Sequence, residues 1–421
     1  MENKRWIFED GNQQAELKAQ EMQQHLQAYG TINVDEKNEK FFKNVKNLGS
    51  NQRRKAMLKD AESRNYKSDK DFDKDNNLYN LSNGTYNLKT WQLQPHNPKD
   101  FITKISPVIF DETAKSIEFI NFITEITCGD NELARFLQKI LGLSLSGDIL
   151  EECFFIFYGP RGRNGKSSLI ETISYLHGGT DGYAIQTAAE TFAFSPYKNS
   201  RTASGDIARM TRRRFISTTE LPAGLNMDTP LLKSLTGGDT VVARRLYQEE
   251  RQFKQTGKIY MHTNYLPYTS DRTLFESQRV YVVPFDRYFK IEERDKGLKS
   301  RLITPANLSG IFNWLIEGLK IYMEEGLNPP LRVLEATKAF KNNSDKFEKF
   351  LKECFEPAEN NFTSMSEAYE MFKNWCQNQG IAIERLKEFK EMLKKYGVFK
   401  DREGSVYNVI AGYTPRKNCK F

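Results

Sequence analysis

The chemistry in this sequence concentrates in GPRGRNGKSSLIE, residues 159–171. Gly159, Gly162 and Gly165 punctuate a turn around Asn164, and Lys166, Ser167 and Ser168 open a helical pattern. A triphosphate is held by parts of this kind: inward backbone N–H groups, a helix N-terminus, a lysine for the β- and γ-phosphates and a hydroxyl for Mg²⁺. ATP and Mg²⁺ are therefore the expected ligands, with Gly159, Gly162, Asn164, Gly165, Lys166, Ser167 and Ser168 as the cradle. The strict G-x-x-x-x-G-K-[ST] spacing would place glycine where Pro160 stands, so the loop is one residue longer, and either Gly159 or Gly162 opens it. Two further residues complete a phosphoryl-transfer set. Glu220 follows the apolar run of RRRFISTTE and, at the tip of a strand beside the loop, could orient water directly or through Mg²⁺. Asn264 ends KIYMHTN and could reach the γ-phosphate or the water. Taken singly, each residue also reads as an ordinary turn or surface group; their order gives them weight.

The elements that must position these groups are readable. ECFFIFYG (152–159), RFISTT (214–219), KIYMHT (258–263) and RVYVVPF (279–285) are short apolar runs separated by helical segments. That pattern predicts strands buried on both faces of a largely parallel sheet. Ahead of them, LYNLSNGTYNLKTWQL alternates around Asn83-Gly84, a hairpin signal, and Leu133, Phe136, Leu137, Ile140 and Leu141 share a helix face. Leu308, Ile311, Phe312, Leu315, Leu319 and Tyr322 mark another amphipathic helix, and Asn328-Pro329-Pro330 breaks the chain after it. The tail carries three helical patterns, then two short strands around Glu403-Gly404.

Composition sets the frame. The 421 residues are 38% hydrophobic and 28% charged, and 62 basic against 55 acidic side chains leave a net charge of +7. That permits a polyanionic partner without demanding one. No apolar run approaches the ~18 residues of a membrane span, and the first residues lack a signal-peptide core. Five scattered cysteines without C-x-x-C spacing predict neither disulfides nor structural zinc, and point to a reducing, cytoplasmic compartment. The run KSDKDFDKDNN (67–77), with Asp71, Asp73 and Asp75 alternating, is expected to be a solvated linker.

The chain resembles the superfamily III helicases, in the phage, plasmid and poxvirus primase-helicase group. Residues 78–112 and 133–148 look like the domain preceding the motor. GRNGKSS (162–168) matches the Walker A segment and FISTTELP (215–222) the Walker B strand. PLLKSLTGGDTVVARRLYQ (230–248) matches the block peculiar to this superfamily, MHTNYLP (261–267) the sensor segment, and SQRVYVVPF (277–285) the arginine-finger strand. The implied fold is an α/β, P-loop AAA+-like motor with a parallel central sheet. A mainly helical domain precedes it and a small winged-helix-like domain follows. The expected divisions are 1–77, 78–148, 149–326 and 331–421.

The resemblance implies catalytic roles for Lys166, Glu220, Asn264 and Arg279, with Ser167 and Glu220 near Mg²⁺. Arg279 would act in trans on the ATP of a neighbouring subunit, with Arg272 as the rival finger. Lys233, Arg244, Arg245, Arg251 and Lys254, flanking a predicted hairpin, would contact DNA. In the last domain, Lys387, Lys390, Lys394, Lys395, Lys400 and Arg402 could face a duplex, though Glu384, Glu388 and Glu391 interleave with them. The implied protein is an ATP-dependent DNA helicase of a phage or plasmid replication system, forming a homo-hexamer that travels on single-stranded or forked DNA. A primase or polymerase domain would lie in the same or a partner chain. The alternatives are an ATP-switched initiator or loader that unwinds nothing, and a P-loop kinase. The kinase reading leaves residues 230–248 unexplained.

Overall fold

Two units make up the chain: Met1–Asp75 with His96–Lys104, and Asn76–Pro95 with Ile105–Phe421. The computed structural model describes residues 4–8, 11, 13–35, 38–195, 205–243, 251–269, 271–379, 383–403 and 405–416.

The first unit packs three helices, α1 (Gln13–Asn33), α2 (Glu39–Leu48) and α3 (Asn51–Asn65). Asn38 caps α2 by accepting from the Phe41 N–H at 3.1 Å, and Phe41, Phe42, Val45 and Leu48 fall on one side of it. The charged run expected as a loose linker is instead folded. Asp71 pairs with Lys74 at 2.9 Å, and the Asp73 carboxylate accepts from the Thr103 N–H at 2.7 Å.

The second unit begins with an antiparallel meander of β1 (Leu78–Leu81), β2 (Gly84–Asn87) and β3 (Gln92–Gln94). The β1–β2 turn falls on Ser82 and Asn83, while Gly84 is already in β2. Helices α4 (Ile117–Ile126) and α5 (Asn131–Gly142) follow. The central α/β region then runs β4 (Phe154–Tyr158), α6 (Lys166–Leu176), β5 (Ala184–Thr187), α7 (Gly205–Arg209), β6 (Phe215–Thr218) and α8 (Thr229–Thr236). It continues with β7 (Thr240–Ala243), β8 (Arg251–Lys254), β9 (Lys258–Thr263), α9 (Thr273–Glu276) and β10 (Val280–Pro284). Three helices close it: α10 (Leu298–Leu302), α11 (Pro305–Glu325) and α12 (Leu331–Asn343).

The central sheet has five strands in the order β10-β4-β9-β6-β5, all parallel. Alternate side chains fill both faces, as the unbroken apolar runs require. Phe155, Phe157, Phe215 and Tyr260 join one core with α5, α6 and α11. Phe154, Ile156, Ile216, Ile259 and Met261 join the other, with Leu232 and Leu235 of α8. The sequence pattern did not announce β5, and it placed β6 beside β4. In the structure β9 lies between those two strands.

Helix α11 crosses α5 at a pair of glycines. A Cβ on Gly142 would lie 2.5 Å from the Leu319 nitrogen, and one on Gly318 would lie 2.1 Å from the Gln138 carbonyl oxygen. Any side chain at either position would drive the helices apart. The meander is tied to the central α/β region by polar groups. Tyr79 Oη and His177 Nδ1 are 2.7 Å apart, Ser144 Oγ and His177 Nε2 are 2.8 Å apart, and burial pushes the imidazole pKa down to about 3. Arg214 Nη2 donates to the Leu78 carbonyl at 2.7 Å, and its guanidinium lies over the Tyr183 ring at 4.6 Å.

The C-terminal region is of winged-helix type: α13 (Lys346–Cys354), β11 (Phe355–Ser364), α14 (Met365–Gln379), α15 (Leu386–Lys395), β12 (Phe399–Glu403) and β13 (Val406–Pro415). Its sheet runs β11-β13-β12 over a core that includes Phe350, Phe372, Trp375 and Phe389. The sequence pattern did not announce β11 either. Helix α12 packs on the central α/β region instead: the Val282 N–H of β10 donates to Thr337 Oγ1 at 2.9 Å, and Phe340 packs edge-on to Phe275. No helix among the described residues is long and apolar enough to cross a membrane.

Candidate active site

The loop from β4 to α6 is tight at one glycine and open at another. A Cβ on Gly159 would sit 2.1 Å from Asn164 Nδ2 and 2.5 Å from the Phe285 carbonyl oxygen, whereas one on Gly162 would meet nothing within 4 Å. Gly159 is thus the residue the close approach requires, and Gly162 faces open space. Gly165 precedes α6 with φ +88, and a Cβ there would press on Ile126 of α4 at 2.4 Å. Asn164, expected among the ligand contacts, is turned inward. Its amide donates to the Arg161 carbonyl at 2.8 Å and, more weakly, to the Phe285 carbonyl at 3.4 Å, so it braces the loop from within.

Three of the expected catalytic residues meet at the carboxyl ends of the strands. Lys166, only 4% exposed, donates from Nζ to Asn264 Oδ1 at 2.8 Å and to the Gly159 carbonyl at 3.2 Å. Asn264 Nδ2 in turn donates to Glu220 Oε1. The asparagine therefore sits between cation and carboxylate, one arm on each. This follows from strand order: β9 carries Asn264 and separates β4, which leads to Lys166, from β6, which leads to Glu220. Burial pulls the Lys166 amine down to about 8, while the Glu220 charge acts in the opposite direction. Ser167 is exposed at the start of α6 and Ser168 is half-buried.

Arg279 stands elsewhere. It precedes β10, and the Phe154 N–H at the start of β4 donates to its carbonyl at 3.0 Å, so it occupies the amino end of a parallel sheet whose carboxyl end holds the loop. Its Nη2 pairs with Glu152 at 2.6 Å. Its Nη1 donates to the Lys233 carbonyl at 3.2 Å and to Thr236 Oγ1 at 3.3 Å, at the end of α8. Arg272, the rival finger, pairs with Glu348 of α13 at 2.9 Å.

Known proteins resemble this chain at several levels. The apo structure of the NrS-1 C-terminal region aligns over 73% of this chain and 77% of that one, at 14% identity and a TM-score of 0.43. A helicase-named protein of Acanthamoeba polyphaga mimivirus is 25% identical over 373 residues, covering 82% of this chain and 38% of its own length. A helicase-named protein of Frog virus 3 (isolate Goorha) is 24% identical over 236 residues, covering 52% of this chain and 24% of its own. The chain thus spans well under half the length of these relatives. Residues 1–128 match the "D5 N terminal like" family, and residues 342–418 match the "Poxvirus D5 protein-like" family. The two ends of the chain are thus similar to D5-like proteins.

The expected DNA contacts are distributed unevenly. Strands β7 and β8 form the predicted antiparallel hairpin, with Thr240 opposite Lys254 and Ala243 opposite Arg251. Lys254 is exposed on it. Arg244 and Arg245 lie outside the described residues, and of Arg251 only the backbone is described. Lys233 is not free for DNA: its Nζ pairs with Asp271 at 2.7 Å. In the C-terminal region Lys394 pairs with Glu391 at 3.2 Å, and Lys390 donates to Asn408 Oδ1 at 2.7 Å.

One residue of this site is not singled out by the sequence pattern. His262, on β9 two positions before Asn264, is 7% exposed, and its Nδ1 has no hydrogen-bond partner among the described residues. Burial pushes its pKa down, and the Glu220 charge opposes this. The available signal was one titratable ring inside an otherwise apolar strand. Among the described residues, no group of three or more His, Cys, Asp or Glu side chains is placed to hold a metal ion alone.

Proposed function

We propose that this chain is the ATP-driven motor of a DNA helicase. It would form a ring, six-membered on the family likeness, and travel on single-stranded DNA. The observation that carries the reading is the hydrogen-bonded chain Lys166–Asn264–Glu220 across three strand ends. A triphosphate entering the cradle would take over the Lys166 ammonium, drawing it from Asn264. Asn264 and Glu220 would then be released together to hold the attacking water, with Glu220 accepting its proton. Mg²⁺, when bound, would neutralise charge on the phosphate oxygens; Ser167, exposed at the start of α6, and Glu220 would hold it.

Arg279 supports assembly. It lies at the far end of the sheet from its own Lys166, so it could act only on a nucleotide held by another subunit, as an arginine finger does. The Glu152 pair and the contacts with Lys233 and Thr236 would have to open first. The β7–β8 hairpin, through Lys254, would hold the DNA backbone by contacts that ignore sequence. The motor would work beside a primase or polymerase domain in the same or a partner chain.

The test is ATP consumption and strand separation on a forked substrate. Wild-type protein should hydrolyse ATP faster with single-stranded DNA present, and Glu220→Gln should lose about a hundredfold or more in turnover while still binding nucleotide. ATP-dependent assembly that survives Glu220→Gln, with no unwinding by either protein, would instead make the chain an ATP-switched initiator.

A further inference from the structure

The hydrolytic site makes no use of the first unit, whose surface is unusual in a way the motor does not explain. Between Glu39 and Lys67 the sequence holds nine Lys and Arg against three acidic residues. On α2, Lys40, Lys43 and Lys46 fall within one third of the helix circumference, directly opposite Phe41, Phe42 and Val45. On α3, Lys55 and Lys59 are one turn apart and so lie on one face, with Arg64 near its end. All six cations are exposed. None is ion-paired with another described residue, in contrast to Lys18 and Lys74, which pair with Glu21 and Asp71.

Past α3 the chain adds aromatic rings. Tyr66 is 78% exposed. Lys67 lies 4.9 Å from the centre of the Phe101 ring, and Phe101 is stacked on Trp6 at 5.7 Å. Phe72 touches Trp6 and Phe8, each at 5.8 Å. Phe8 at 71% and Trp6 at 39% exposure keep ring surface in water. Water-facing rings in the same unit as unpaired cations, with Tyr66 two residues after Arg64, suit one class of partner. Cations take phosphates without regard to sequence, and rings accept the π-face of any unpaired base. A paired duplex offers no such face.

We propose that α2, α3 and the Trp6 cluster form a second polynucleotide-binding surface, for single-stranded nucleic acid, separate from the motor. The proposal does not rest on the ATPase reading, because it needs neither nucleotide nor an intact cradle.

The experiment is ultraviolet cross-linking of the full chain to oligothymidylate without nucleotide, with the adducts mapped by mass spectrometry, alongside affinity measured across a salt series. Adducts on Trp6, Phe8 or Tyr66 are expected, in wild type and in Lys166→Ala alike. The triple variant Lys43→Glu, Lys55→Glu, Lys59→Glu should bind at least about tenfold more weakly. Its salt slope should fall by about 2, since each single-strand phosphate left without its cation takes roughly 0.7 from the slope. Its ATP hydrolysis without DNA should match wild type, which shows that the fold is kept. Adducts confined to residues 240–254 with an unchanged slope would overturn the proposal, as would equal affinity for a blunt duplex.

Discussion

The two ends of the central sheet are built from the same kinds of groups and hold them in opposite ways. At the carboxyl end, Lys166 is buried and linked through Asn264 to an exposed carboxylate, Glu220. At the amino end, Arg279 is 21% exposed along its side chain and pairs directly with Glu152, itself 59% exposed. One cation has been taken out of water and meets the carboxylate only through an amide. The other is held by a surface ion pair of a kind worth little and by two long hydrogen bonds to the end of α8. The first arrangement suits a group that waits for an anion to come to it. The second suits a group that must leave its partner to reach an anion elsewhere.

Removing Arg279 should have the largest effect. Arg279→Ala is expected to lower turnover by about a thousandfold while nucleotide affinity stays within about threefold, the signature of a group that acts only in the transition state. Steady-state hydrolysis with a fluorescent-nucleotide titration checks both. Asn264→Ala should cost about a hundredfold in turnover, the usual effect of removing one positioned polar group from a reacting centre. Glu152→Gln should act in the other direction. Loosening Arg279 should raise turnover up to about fivefold, in line with an ion pair of about 1 kcal/mol or less.

The smallest effect is a proton. The Lys166 amine, at about 8 in the free protein, regains its charge preference against a polyphosphate, so near that pH nucleotide binding should take up about half a proton. Titration calorimetry in buffers of different ionisation enthalpy reads this directly. The uptake should vanish one to two units lower, where the amine is already charged, and in Lys166→Met.

Much of this contrast was legible in the sequence because it rests on local patterns. The FFIFYG run, the glycines and Lys166-Ser167 announce a phosphate loop from adjacent residues alone, and the other apolar runs announce buried strands. What could not be read was order and direction. That β9 separates β4 from β6 is a long-range packing outcome, and it alone puts Asn264 between Lys166 and Glu220. Asn164 is the right residue type in the right loop, yet nothing local shows that its amide turns inward to the Phe285 carbonyl. Strand β5, AIQT, is four residues at the sheet edge, too short to show periodicity. Strand β11 contains Pro357 and a polar stretch, and its register shifts between Pro357 and Phe362, so it reads as a loop.

The central claim is that the two sheet ends meet across a subunit boundary, and mixing two dead proteins tests it most directly. Lys166→Ala lacks the cradle cation but keeps Arg279; Arg279→Ala lacks the finger but keeps the cradle. Mixed assemblies, verified by mass measurement, should recover ATP hydrolysis, because some interfaces then pair an intact Lys166 with an intact Arg279. Mixed assemblies that form and hydrolyse no more than either parent would contradict the claim.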